Sequence, residues 1–160
     1  MMAPAFHVAQ ETAVWPPPPP LRELLLDADP DERQVADHLA HGELYVARSR
    51  GAAAGAIVIR QTGEDTWEIM NCSVAPEYRR HGCGTALVLH ALHIIRNKGA
   101  RYAELGTCDA SPGPMALYES CGFRISGVVK NHFTDNYPEP VWDNGCLLYT
   151  SPSPRDTERS

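Results

Sequence analysis

The chain has 160 residues, 43% hydrophobic and 21% charged, a composition that suits one globular domain with one substantial core. Its formal charge of -6 opposes general attraction to nucleic acid, confines phosphate binding to a local site and favours cationic acceptors. Five cysteines without a C-x-x-C pair read as free thiols in a reducing cytoplasm, and neither an export signal nor an apolar run of the ~20 residues that span a bilayer is expected.

In chain order, Phe6 to Val14 supplies a first short strand. Pro16 to Pro20 are consecutive prolines, which exclude helix interior and central strand and predict a stiff polyproline II connector. Asp29-Pro30-Asp31-Glu32 offers an N-cap, a proline at N1 and a glutamate at N3, so a helix is expected from Pro30 to His41, stopped by Gly42. Leu44 to Arg48 and Ala53 to Arg60 read as strands around a turn, and Thr66 to Val74 as a third, together an antiparallel meander. Ala86 to Lys98 reads as a helix that is apolar except for a stripe at His90, His93 and Asn97, with Gly99 as its stop. The two histidines have no supporting carboxylate pattern, so they read as a solvated helix face and no metal is expected. Tyr102 to Thr107 resumes strand character, Pro114 to Ser120 forms a short helix closed by Gly122, Phe123 to Lys130 reads as strand, and Asn131 to Pro140 as a polar loop.

The chemistry begins between Val74 and Thr85, where an apolar strand end runs through Pro-Glu-Tyr-Arg-Arg-His-Gly-Cys-Gly into a helix. Gly82 and Gly84 let backbone N–H groups approach an anion closely, and Arg79 and Arg80 add charge beside them. Neither G-x-G-x-x-G nor G-x-x-x-x-G-K-[ST] is present. The spacing Arg79-x-x-Gly82-x-Gly84 resembles the acyl-CoA pyrophosphate loop of the GNAT superfamily of N-acetyltransferases. A second run, Leu117-Tyr118-Glu119-Ser120-Cys121-Gly122-Phe123, is similar to that superfamily's L-Y-x-x-x-G-F helix end. The resemblance covers Glu43 to about Val129; the first twenty residues and the last fifteen match nothing useful.

This resemblance implies an α/β (α+β) fold, a mixed, mostly antiparallel central sheet of about six to seven strands flanked by about four helices. It implies one N-acetyltransferase domain over residues 1–145 with its core at about 43–130, using acetyl-CoA as cosubstrate on a primary amine of a small molecule or peptide. Direct attack within a ternary complex is the expected route; the alternative is a non-catalytic acyl-CoA sensor or an interaction module docking through the proline run. No nucleic-acid or membrane partner is expected, the location is cytoplasmic, and dimerisation through the last strands is implied by similar enzymes.

Residue by residue, the resemblance puts the pyrophosphate on backbone N–H groups of Arg80, His81, Gly82, Cys83, Gly84 and Thr85, beside Arg79, at the positive end of the following helix. Cys72, Ser73 and Val74 offer exposed backbone to the pantetheine arm, and one of their N–H groups polarises the thioester carbonyl. That assigns Cys72 a backbone role rather than that of an acyl nucleophile. Tyr118 matches the tyrosine that protonates the leaving thiolate. Glu68 lies two and four residues before Met70 and Cys72, so strand alternation puts all three on one sheet face, where Glu68 is the candidate base. Many relatives carry an asparagine before the last helix; this chain has Cys108 to Pro114 instead, with Asp109 or Ser111 in its place. Asp135, Asn136, Tyr137 and Glu139 are candidates to frame a cationic acceptor.

Cys146 to Asp156 resembles the conceptual translation of a transposase-based sequencing-library adapter. Residues 146–160 are accordingly expected to be a non-native tail, with the natural sequence ending at about Gly145 and the final strand of a hairpin with Phe123 to Val129 replaced.

Overall fold

The computed structural model describes residues 5–105, 116–117, 120–122, 124–125 and 148–150. Its strands are β1 (His7–Glu11), β2 (Glu43–Ser49), β3 (Ala52–Gln61), β4 (Thr66–Val74), β5 (Tyr102–Leu105), β6 (Arg124–Ile125) and β7 (Leu148–Thr150), and its α-helices are α1 (Pro19–Ala28), α2 (Glu32–His41) and α3 (Cys83–Asn97). One mixed sheet has the order β1-β2-β3-β4-β5-β7-β6. Every pairing is antiparallel except β4 with β5, which are joined through α3 as a helical crossover. The meander is as expected, and Arg50 and Gly51, both at positive φ, make the turn between β2 and β3.

Alternation divides the core between the two sheet faces. Tyr45, Ala47, Ile57, Ile59 and Ile69 pack against Leu87, Val88, Ala91 and Ile95 of α3. Leu44, Val46, Ala56 and Val58 pack against Leu21 and Leu25 of α1 and Val35 of α2. β3 supplies both cores, which is why Ala54 to Ile59 are buried without interruption. Lys98 fastens the end of α3 to the sheet: its Nζ lies 2.7 Å from Glu43 Oε2 and 4.8 Å from the centroid of Trp67.

Three departures from the sequence-based expectations have local causes. The proline run is not all connector, because α1 begins at Pro19 with proline in its first turn. Those positions have no intrahelical N–H bond to lose, so proline is tolerated there, and Leu21, Leu24 and Leu25 then bury one face. The cap of α2 is Asp31 rather than Asp29: its carboxylate accepts from Arg33 N at 3.1 Å and Gln34 N at 3.3 Å. Asp29 is spent one turn earlier, accepting from Asp31 N at 3.0 Å, so Pro30 stands before the helix. α3 starts at Cys83, ahead of the expected Ala86, since Gly82 itself is the N-cap.

Within the adapter-like segment, Leu148–Thr150 pairs with both β5 and β6. Main-chain hydrogen bonding asks little of side-chain identity, and Leu-Tyr-Thr has strand character. The expected hairpin partner Phe123 to Lys130 is described only at Arg124–Ile125.

Candidate active site

The basic glycine turn has the geometry of an anion cradle. Pro76 to Tyr78 form a single 3-10 turn, Arg80 stands at φ 66°, and Gly82 at φ 83°, ψ 7° caps α3 from the left-handed region. The helix start has no side-chain cap and no acidic residue in its first turn. Its first helical bond runs from Ala86 N–H to Gly82 O at 3.0 Å, so the N–H groups of Cys83, Gly84 and Thr85 precede the ladder at the positive pole of a helix of 15 residues. A side chain at Gly82 would meet no atom within 4 Å; what it would meet is the left-handed backbone, at about 1–2 kcal/mol for an L-residue.

Gly84 does a different job. A Cβ there would stand 3.2 Å from Leu117 Cδ2 and 3.7 Å from Val74 Cγ2. The two sequence motifs therefore touch: Gly84 of the first accommodates Leu117 of the second. Bulk at Gly84 therefore displaces a packed side chain, whereas at Gly82 it does not.

Arg79 turns away from the cradle. Its Nε donates to Val74 O at 3.2 Å and its guanidinium reaches Asp27 Oδ2 at 3.4 Å, tying the end of β4 to α1. Arg80 and His81 remain exposed in the turn.

β4 carries the second half of the site, and a bulge decides its chemistry. Val58 pairs with Asn71 and Ile59 with Ile69, leaving Met70 as an extra residue. Before the bulge Trp67 and Ile69 face α3; after it Cys72 and Val74 do. Met70 packs in the opposite core, and Asn71 and Ser73 point the same way as Met70, toward α1. Glu68 alternates with Trp67 and Ile69, and its cross-strand partner Arg60 bonds Asp37 and His38 of α2. Glu68 thus shares the α1–α2 face with Met70, as expected, but not with Cys72, a correction that the extra residue imposes.

On that face Asn71 is buried, its Nδ2 donating to Leu25 O at 3.0 Å while its Oδ1 has no partner among the described residues. Ser73 Oγ lies 3.5 Å from Asp27 Oδ2. Burial, followed by the charge of Glu104, pushes the Glu68 carboxyl up to about 7. On the α3 face burial dominates again: with Cys83 and Cys121 nearby, it pushes the Cys72 thiol up to about 12, so the thiol stays protonated and a poor nucleophile.

β4 and β5 run in register only from Thr66 with Tyr102 to Ile69 with Leu105. Among the described residues Asn71 to Val74 have a strand partner on the β3 side alone. Val74, the last residue of β4, lies beside the N-terminus of α3, where a Cβ at Gly84 would stand 3.7 Å from its Cγ2. Asp109, Ser111, Tyr118 and residues 135–139 lie outside the described residues.

The sequence reading missed Asn71, Asp27 and Glu104. The bulge had a signal: the α3-facing residues Trp67, Ile69, Cys72 and Val74 are spaced two, three and two apart, and the odd interval marks the extra residue. Asp27 had none, because the helix that carries it follows a proline run.

Among the described residues the sheet has one parallel pair, β4 with β5, and an uncapped helix N-terminus lies at the end of β4. The acetyltransferase (GNAT) family model matches residues 7–123, and the chain belongs to this family. The match starts at β1, well before the Glu43 boundary read from the motifs. An uncharacterized N-acetyltransferase of Bacillus subtilis (strain 168), YvbK, is 37% identical over 78% of this chain and 81% of its own length. The crystal structure of a GNAT family acetyltransferase from Elizabethkingia anophelis with acetyl-CoA bound is 35% identical, covering 91% of this chain and 97% of that one at TM-score 0.74. The [ribosomal protein bS18]-alanine N-acetyltransferase of Escherichia coli (strain K12) is 26% identical over 81% of this chain and 78% of its own. No helix among the described residues is long and apolar enough to cross a membrane.

Proposed function

We propose that the protein transfers the acetyl group of acetyl-CoA to a primary amine, of a small molecule or a peptide, by direct attack. One observation carries the reading: the uncapped α3 N-terminus behind Gly82 lies at the end of a strand that, among the described residues, pairs with β5 only as far as Ile69. The cradle suits a pyrophosphate, since Gly82 opens onto free space, no first-turn carboxylate competes for the amides, and Arg80 and His81 flank them. The bound E. anophelis relative supports the choice of cosubstrate.

In this reading the amides of Cys83, Gly84 and Thr85 hold the pyrophosphate, and open backbone between Cys72 and Val74 orients the acyl arm and stabilises the oxyanion. Glu68 takes the proton from the acceptor ammonium. Its carboxyl, held at about 7, is half ionised near neutrality, which matches a general base to its working pH. The amine nitrogen forms its bond to the acetyl carbon as the C–S bond breaks, the thiolate receives a proton from Tyr118, and the proton that the acylated nitrogen sheds restores the phenol. The protonated Cys72 thiol argues against an acyl-enzyme route.

The test is CoA release with acetyl-CoA and a panel of primary amines, paired with calorimetry of acetyl-CoA alone. Amine-dependent release is the expected result. Binding without release for any amine would instead indicate an acyl-CoA sensor, and no binding by the folded protein would overturn the reading.

A further inference from the structure

The Glu68 carboxylate has an immediate neighbour that the motifs did not single out. In the parallel register of β4 and β5, Glu68 stands opposite Glu104. Ala103 and Leu105 pack in the α3-facing core, so Glu104 points to the α1–α2 face together with Glu68. The two side chains project side by side from adjacent strands one strand spacing apart, about 4.8 Å.

The cation beside Glu68 on β3 is committed elsewhere. Arg60, the β3 partner of Glu68, gives its guanidinium to Asp37 at 2.8 Å and to the ring of His38 at 3.2 Å on α2. From α1, Asp27 is the charged group beside β4, engaged with Arg79 and Ser73. On β5, Tyr102 lies under the guanidinium of Arg101, 5.8 Å from its ring centroid. From β7, Tyr149 is the register partner of Glu104, and Arg124 of β6 is the partner of Tyr149. Neither Glu68 nor Glu104 has an ion-pair or hydrogen-bond partner on its carboxylate among the described residues.

We propose that Glu104 is a positioning residue for the reaction: its negative charge, fixed beside Glu68 by the strand register, adds to the effect of burial in keeping a proton on Glu68. This rests on the reading of Glu68 as the base. A negative charge this close on a half-buried face disfavours ionisation of Glu68, on top of the cost of burying its carboxylate. Glu68 then has the proton affinity to accept a proton from an ammonium, which an isolated surface carboxylate near 4.5 lacks.

The experiment is a carboxyl ¹³C NMR titration of the full chain, with the Glu68 signal assigned by its loss in Glu68→Gln. It is run on the wild type, on the isosteric Glu104→Gln and on Glu104→Asp. The Glu68 midpoint is expected to fall by about one pH unit in Glu104→Gln, the size of one like charge at a strand spacing under an effective dielectric of about 50. Glu104→Asp, which keeps the charge, should retain most of the wild-type midpoint. An unchanged midpoint in folded Glu104→Gln overturns the proposal. The acidic limb of the kcat/KM profile is expected to move with the NMR midpoint. If the midpoint moves and the limb stays, the coupling of the two carboxylates stands and the base role of Glu68 falls.

Discussion

The two faces of this sheet are built from the same strands and do opposite work. Toward α3, Ile57, Ile59, Ile69, Cys72 and Val74 meet Leu87, Val88 and Ala91 in a core whose thiols, Cys72 and Cys83, are kept neutral by burial. Toward α1 and α2, β4 and β5 present Glu68, Asn71, Ser73 and Glu104, with Asp27 beside Ser73, an amide oxygen of Asn71 that has no partner among the described residues, and a carboxylate held near neutrality. A single extra residue, Met70, separates them. Without it Cys72 would lie on the polar face with Glu68; with it the thiol is assigned to packing and Asn71 to the polar face. The lesson is that a strand's chemistry is set by its register as much as by its residues.

That division can be broken most sharply at Glu68. Glu68→Gln keeps the shape and removes the base, so turnover should fall by about 100-fold or more with acetyl-CoA affinity unchanged, measured by CoA release and calorimetry. A rate within about twofold of wild type would put the base elsewhere. Tyr118→Phe should cost a comparable factor, on the order of 100-fold in kcat, and a pH profile that loses its basic limb would assign the proton to the phenol. Gly82→Val comes next: the left-handed backbone and the blocked approach should weaken acetyl-CoA binding at least about tenfold by calorimetry, with little loss of thermal stability beyond the ~1–2 kcal/mol strain.

A stability experiment separates the faces without any substrate. The folded state raises the Glu68 carboxyl from its ordinary 4.5 to about 7, so between those values the folded protein binds more protons than the unfolded chain. Its contribution is present in full below 4.5 and lost as pH rises through 7. Glu68→Gln should therefore gain on the wild type between about pH 5 and about pH 8, by on the order of 2 kcal/mol in urea unfolding. The smallest effect is expected on the α3 face: Cys72→Ala should leave kcat within about twofold while costing about 1–2 kcal/mol of stability for the lost packing. A dead but folded Cys72→Ala enzyme would reverse the assignment of the two faces.

The tail invites a comparison of its own. Resequencing the locus without transposase adapters is expected to replace residues after Gly145, and recovery of the same Cys146 to Asp156 would show that the strand Leu148–Thr150 is native.

Much of the fold was legible because its signals are local. The hairpin turn at Arg50 and Gly51, the strand pattern of β2 to β4, the apolar run of α3 and the glycine turn before it each depend on neighbours within a few residues. α1 escaped because five prolines mask a helix that uses two of them in its first turn, and the α2 cap shifted because two aspartates competed for the same turn.

The sequence by itself determined the family, the cradle and the identity of the candidate base, since these reside in glycines, charges and spacings fixed along the chain. Only the tertiary structure decided which way those groups face. The bulge at Met70 needs β3 as a ruler, the contact of Gly84 with Leu117 joins motifs more than thirty residues apart, and Glu104 reaches Glu68 only when β5 returns parallel to β4. Side-chain direction in a strand has a period of two, so one residue of register, set by a partner strand distant in sequence, turns a neighbour into an outsider.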